Sequence, residues 1–80
     1  MYLQLLKEYL SQKIEEGDYR TAQRIAMEGL ADEPYDTDLS MYQIICMFQL
    51  GNRSLARNYY NKVELELTDE QRDMIDKYRK

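Results

Sequence analysis

Two stop-and-start signals recur 34 residues apart and constrain the fold more than any other feature of the sequence. Gly17 and Gly51 each end a stretch with helical apolar spacing, and each precedes a polar residue that suits the start of a helix. Ala22 and Ala56 keep the same period. A 34-residue period with two helices per unit is typical of stacked helix hairpins, because one hairpin cannot bury its apolar face alone.

The spacing of apolar residues is helical between these signals. We predict helices over residues 2–16, 19–32, 37–50, 53–66 and 69–79. Pro34 cannot continue a helix, so it separates the second helix from the third. Thr68 and Gln71 have the spacing of a capping box, which indicates the start of the last helix. The sequence therefore predicts an all-α fold.

Two stretches within these segments need an interpretation. The run 44–48 is apolar nearly all round, so we expect the third helix to be the central, buried one. Val63, Leu65 and Leu67 alternate with glutamates, which is a strand pattern. Because the alternation covers only five residues, we interpret it as the end of the fourth helix.

The residue inventory excludes several kinds of chemistry. The chain has 80 residues, no His and a single Cys, so it lacks the ligands of a structural zinc site and the pairs of a disulfide framework. Ser–His and Cys–His nucleophile pairs are absent as well. Paired carboxylates fall at helix ends or on charged faces, and acids near helix starts stabilise a helix without catalysis. We therefore expect no enzyme, no metal and no cofactor, and we expect Cys46 to be a buried, inert thiol.

Charge and hydropathy bear on partners and location. The formal net charge of −4 argues against direct contact of this domain with nucleic acid or with an anionic membrane. No apolar run approaches the roughly 20 residues that a membrane helix needs. The first residues lack the basic start and apolar stretch of a signal peptide. With one unpaired thiol, these features favour a cytoplasmic protein.

The first unit resembles the tetratricopeptide repeat. Five residues stand at the spacings where that repeat has its Gly, Tyr, Ala, Leu and Pro, namely Gly17, Tyr19, Ala22, Leu30 and Pro34. The resemblance implies one domain over residues 1–80, with repeats at about 1–34 and 35–68 and a capping helix at 69–80. It implies two helix hairpins stacked with a right-handed superhelical turn. Larger residues, Leu10 and Ile44, replace the small residue of the family's first helix.

A narrower resemblance comes from the stretches 30–39 and 50–60. A Pro before an acidic helix start, a long apolar helix, a Leu-Gly turn and then Ala and Tyr look like the bacterial transcriptional activation domain. That tetratricopeptide-like module occurs in regulators related to antibiotic-pathway activators, where it follows a winged-helix domain. The resemblance implies a part in transcription regulation through protein contacts and not through DNA contacts.

The family resemblance also implies a peptide groove along the first helix of each pair. In the second unit it marks Met41, Ile45 and Phe48, whose spacing of four and three residues forms one apolar stripe. We expect this stripe to bind a protein or peptide partner. Lys7 and Arg53 would select acidic partner groups at its rim. The open alternative is that the final helix, or a second copy of the chain, covers the stripe.

The leading hypothesis is thus a protein–protein interaction module. Its alternative is a structural or homo-oligomerisation domain without a peptide ligand. Such a domain could form a homodimer through the outer face of its last helices. Apolar residues are available there at Leu65, Leu67, Met74, Ile75 and Tyr78.

Overall fold

The computed structural model describes the backbone of residues 2–79 and the side chains of residues 4–79, so Met1 and Lys80 of the predicted domain lie outside it. Its helices are α1 (Tyr2–Glu16), α2 (Tyr19–Asp32), α3 (Thr37–Gln49), α4 (Arg53–Val63) and α5 (Asp69–Arg79). Within these described residues there is no strand, and the predicted all-α fold is confirmed.

The turns that end α1 and α3 have the same geometry. Gly17 and Gly51 take φ angles of 81° and 90°, in the left-handed region that other residues avoid. In the first turn the Gly17 amide donates to the Ile14 carbonyl at 3.1 Å, and the Asp18 amide donates to a carbonyl five residues back at 3.0 Å. The equivalent distances in the second turn, from Gly51 and Asn52, are 3.3 and 2.8 Å. Both turns are therefore Schellman motifs, and the sequence period is a structural period.

Core positions follow the same period. Three pairs of residues 34 apart are buried, namely Leu10 and Ile44, Ile14 and Phe48, and Ala22 and Ala56. Leu10 and Ile44, which replace the small residue of the family's first helix, are both fully buried. The described chain is thus a repeat-like pair of helix hairpins followed by a fifth helix.

Helix α3 is the centre of the molecule, as the apolar run predicts. It packs against α1, α2, α4 and α5, and eight of its thirteen residues are buried. Its close approach to α2 depends on Gly29, where a Cβ atom would lie 2.9 Å from a methyl group of Leu39 and 2.8 Å from one of Leu6. Only a glycine allows that approach without a shift of the leucines.

The end of α4 differs from the prediction. The helix stops at Val63, and Glu64–Glu66 form a 3-10 turn in place of the predicted last helical turn. Leu67 then leaves helical space and is buried, whereas Leu65 on the turn is 96% exposed. The strand-like alternation therefore reflects one inward and one outward leucine on a tight connection.

Helix α5 begins at the predicted capping box. The Gln71 amide donates to Thr68 Oγ1 at 3.1 Å, and the Thr68 amide donates to Gln71 Oε1 at 2.9 Å. Near the start of α5, the side-chain amide of Gln71 donates to Asp38 at the start of α3. Near the end of α5, the Tyr78 carbonyl accepts from the side-chain amide of Gln49, the last residue of α3. The two helices therefore run parallel, with α5 lying along α3.

Candidate functional site

The predicted apolar stripe lies in the core. Met41, Ile45 and Phe48 are 5%, 0% and 8% exposed. These three residues belong to α3, and helix α5 lies along α3 with its Ile75 buried in the same core cluster. At the far end, the Arg79 guanidinium carbon is 5.8 Å from the centroid of the Phe48 ring. The chain's own last helix covers the stripe, so contact of a partner with it stays a prediction that requires α5 to move.

Lys7 is paired with acids of its own chain. Its ammonium lies 3.0 Å from Oδ2 of Asp36 and 3.0 Å from Oδ2 of Asp38. On the far side of Asp38, the amide of Gln71 donates to Oδ1 at 2.7 Å and to the Thr37 hydroxyl at 3.0 Å. One network thus joins α1, the start of α3 and the start of α5. Lys7 is part of this network and pairs with acids of its own chain.

The electrostatics of this network favour the charged forms. Partial burial disfavours the ammonium of Lys7, but hydrogen bonds to Asp38 and Asp36 outweigh it and raise the pKa of Lys7. Burial also disfavours the ionised form of Asp38. The hydrogen bonds that Gln71 and Lys7 donate outweigh that effect and lower the pKa of the Asp38 carboxyl. The arrangement is an ion-pair network that ties the starts of α3 and α5 to α1.

Arg53 is placed differently from the rest of the predicted site. It is the first residue of α4 and is exposed, on the far side of the α3–α4 turn from the buried stripe residue Phe48. Helix α4 carries Arg53, Arg57 and Lys62, all exposed, and has no acidic residue. Of the five predicted site residues, the structure brings three together in the core, pairs Lys7 with its own acids and leaves Arg53 on this basic helix.

A cleft that the sequence analysis missed lies along α4. Its apolar lining consists of Met47, Leu55, Tyr59 and Val63, and its polar lining of Asn58, Asn61 and Lys62. We call it the α4 cleft; its volume is about 730 Å³. Leu55 is 61% exposed, although a leucine on the edge of a helical hairpin would gain by burial.

Tyr59, in the lining of the α4 cleft, contacts a buried residue of α3. The hydroxyl groups of Tyr59 and Ser40 lie 3.4 Å apart, and Ser40 is buried in α3. Leu55, Tyr59 and Lys62 follow each other at four and three residues, so they share one face of α4. That spacing was the available sequence signal. The spacing alone does not say whether a neighbouring helix covers that face.

The single thiol of the chain is buried. Cys46 is fully buried, and desolvation raises the pKa of its thiol to about 12, so it stays protonated and unreactive at neutral pH. Among residues 4–79, no group of three acidic, His or Cys side chains stands close enough to hold a metal ion.

Comparison of the chain with protein-family models, with curated protein sequences and with solved structures finds no match. In the described part of the chain, every helix is too short or too polar to cross a lipid bilayer.

Proposed function

We propose that the chain is a protein–protein interaction module. The observation that carries the proposal is the α4 cleft, an open concave surface lined by apolar side chains together with two asparagines and a lysine. A groove lined by apolar side chains is one of the recurring forms of a peptide recognition site. Among the described residues, the ion pairs join neighbouring helices or lie within one helix. This arrangement suits a binding domain better than an enzyme.

We further propose that the module is the helical regulatory domain of a bacterial transcription regulator. This part rests on the resemblance of residues 30–39 and 50–60 to the transcriptional activation domain, and on the two matching helix hairpins. In that role the chain would contact other proteins of the regulatory machinery. An upstream or separate DNA-binding unit would supply the DNA contact.

A reporter experiment tests the regulatory role. The chain is fused to a heterologous DNA-binding domain whose operator lies upstream of a weak promoter in a bacterial host. A specific change in reporter transcription, absent with the DNA-binding domain alone, is the expected result. Unchanged transcription at equal protein levels, together with binding of duplex DNA by the isolated chain, would overturn the regulatory proposal.

Self-association is the second candidate function. Leu65 on the 3-10 turn and Met74 on α5 support it, since both are exposed apolar residues. Ile75 and Leu67, which the sequence also offers for a dimer contact, are buried within the chain. Size-exclusion chromatography with light scattering distinguishes the candidates. The interaction module is expected to be monomeric, and a tight dimer that Leu65→Asp dissociates would replace it.

Binding itself is tested by reconstitution. Proteins that the immobilised chain retains are purified individually and titrated against it by calorimetry. A saturable complex of defined stoichiometry is the expected result. If every purified candidate fails to bind, the interaction proposal is withdrawn, whatever the reporter shows.

A further inference from the structure

The connection between α4 and α5 differs from the three connections before it. Each of those contains a residue that stops a helix, namely Gly17, Pro34 and Gly51. Residues 52–80 contain no Gly and no Pro, so the break between α4 and α5 depends on the capping box of Thr68 and Gln71. We infer that α5 exchanges between two copies of the chain, so that each α5 lies along α3 of the other copy.

The backbone of this connection is already close to helical. Glu64–Glu66 form a 3-10 turn directly after α4, and Glu64 has φ and ψ angles of −52° and −43°, which are those of an α-helix. Leu67 leaves helical space with a ψ angle of 144°, and Thr68 follows it outside any helix. A rotation of the backbone at Leu67 and Thr68 therefore joins α4 and α5 into one helix over residues 53–79.

The apolar spacing continues through the connection without a change of phase. One face of a joined helix would hold residues spaced four, three, four, seven and four apart, namely Ala56, Tyr60, Val63, Leu67, Met74 and Tyr78. These gaps follow the α-helical period of about 3.6 residues. The sequence is thus compatible with a helix that ends at Val63 and with one that continues to the end of α5.

The place where α5 lies in its own chain identifies the occupant. We call the described arrangement, with α5 on its own α3, the closed chain. There α5 buries Ile75 in the core cluster, Gln71 donates to Asp38, and Gln49 donates to the Tyr78 carbonyl. The same contacts form when α5 comes from a second copy, because they join α5 to α3 and do not involve the connection. Exchange of an identical element is a low-cost route to a dimer for this reason.

Release of α5 is a small opening of the fold. Ile75 is the one buried residue of α5 among those that the structure describes, whereas eight residues of α3 are buried. Helices with little buried apolar surface open locally more readily than the centre of a core. The opening uncovers Met41, Ile45 and Phe48, and α5 of a second copy covers them again.

Concentration decides between the closed chain and the exchanged dimer, because both make the same contacts of α5 with α3. The closed monomer is the form in dilute solution. The exchanged dimer forms when a concentrated sample opens and closes again. Helix α5 contributes no residue to the α4 cleft, so the inference stands apart from the proposed function.

A proline at the start of α5 tests the joined helix. Asp69 is the first residue of α5, a position that favours proline because the first amide of a helix has no acceptor within it. In a joined helix the same proline would clash with the Leu65 carbonyl. Asp69→Pro is therefore expected to keep the closed chain folded and to weaken dimerisation at least about tenfold. Asp69→Ala is the control, since it also removes the carboxylate that pairs with Arg72 but permits a helix.

Loss of the cap is expected to act in the opposite direction. The Thr68 hydroxyl accepts from the Gln71 amide in the closed chain and has no such function inside a joined helix. Thr68→Ala is therefore expected to strengthen dimerisation about tenfold or more, because two caps are at stake in each dimer. Thr21→Ala, at the third residue of α2, is the control for the change of residue type.

Two measurements follow each variant. Samples at about 1 mM are warmed to the unfolding midpoint, cooled and diluted for size-exclusion chromatography with light scattering, which gives the dimer fraction. Dimers from mixed isotope-labelled and unlabelled chains are then studied by isotope-filtered NMR. Contacts between the Ile75 methyl groups and α3 are expected to connect labelled with unlabelled chains.

Three results would overturn the inference. The first is a wild-type chain that stays monomeric after this treatment. The second is a dimer that forms equally well in Asp69→Pro and Asp69→Ala, and the third is a dimer whose Ile75 contacts stay within one chain. A dimer that Leu65→Asp dissociates and Asp69→Pro leaves intact is the surface dimer of the second candidate function. The reporter and reconstitution experiments decide the proposed function separately from all of these.

Discussion

The ammonium of Lys7 lies 3.0 Å from Oδ2 of Asp38 and thereby joins the first helix to the third. The two residues are 31 positions apart, and the same lysine also reaches Asp36, which caps α3 by accepting from the Leu39 amide at 3.0 Å. A lysine that the family resemblance assigns to the rim of a peptide groove thus pairs with two acids of its own chain.

The first prediction concerns this pairing. We expect Lys7→Met to lower the free energy of unfolding by about 1 kcal/mol, because it leaves two part-buried carboxylates close together without their cation. Urea titration followed by circular dichroism measures the change. Lys13→Met, which removes an exposed pair with Glu16, serves as the control and should have a smaller effect. An equal loss of unfolding free energy in both variants would show that the Lys7 network contributes no more to stability than the pair of Lys13 with Glu16.

The second prediction concerns pH. The pKa of Asp38 is lower in the folded chain than its ordinary value of 3.8, so its contribution is full above that value and is lost as pH falls through the folded pKa. The pKa of Lys7 is raised above 10.5, so its contribution is full below that value and is lost as pH rises through the folded pKa. We expect Asp38→Asn to flatten the acid limb of the stability profile and to leave the slope near neutral pH unchanged. Thermal melts across the pH range measure both limbs, and an unchanged acid limb would contradict the assignment.

The third prediction concerns the buried stripe. Phe48→Ala should lower the free energy of unfolding by about 3 kcal/mol, because it empties a buried aromatic site beneath Arg79. Leu65→Ala should leave it nearly unchanged, since Leu65 is 96% exposed. Chemical denaturation of the two variants measures the difference. A mild effect at Phe48 would mean that α5 does not close over this face in solution.

The fourth prediction concerns the matched turns. Gly17→Ala and Gly51→Ala should each cost about 1 kcal/mol, because both glycines take a positive φ that alanine adopts only with strain. The space around each position is open, so a clash is not the cause. Asn tolerates the left-handed region, and Gly17→Asn and Gly51→Asn should therefore lose less. Thermal denaturation of the four variants provides the comparison, in which equal losses for Ala and Asn would rule out backbone strain as the reason.

The fifth prediction concerns Cys46. Its thiol is fully buried, and desolvation raises its pKa to about 12, so a thiol-specific disulfide reagent should react with the folded chain far more slowly than with the chain in denaturant. Absorbance of the released chromophore measures both rates. Fast modification of the folded protein, at the rate of a free thiol, would show that α3 is open to solvent.

Most helix bounds could be predicted from the sequence because the residues that start and stop a helix act locally. A left-handed glycine, a proline and a capping box act on residues within one turn of themselves, so the bounds of α1, α2, α3 and α5 agree with the prediction to within a residue. The end of α4 was less legible. Leu65 and Leu67 have similar neighbours in sequence, and only the approach of the rest of the fold makes one of them buried.

The sequence by itself thus determined that the chain forms five helices and where most of them begin and end, since backbone sterics and capping depend on near neighbours. Only the tertiary structure decided which surface meets which. It placed α5 over Met41, Ile45 and Phe48, gave Lys7 its acidic partners and left the cleft at Leu55 open. These outcomes depend on how whole helices lie against each other, and an apolar face has the same spacing whether its cover is a helix of its own chain or of another.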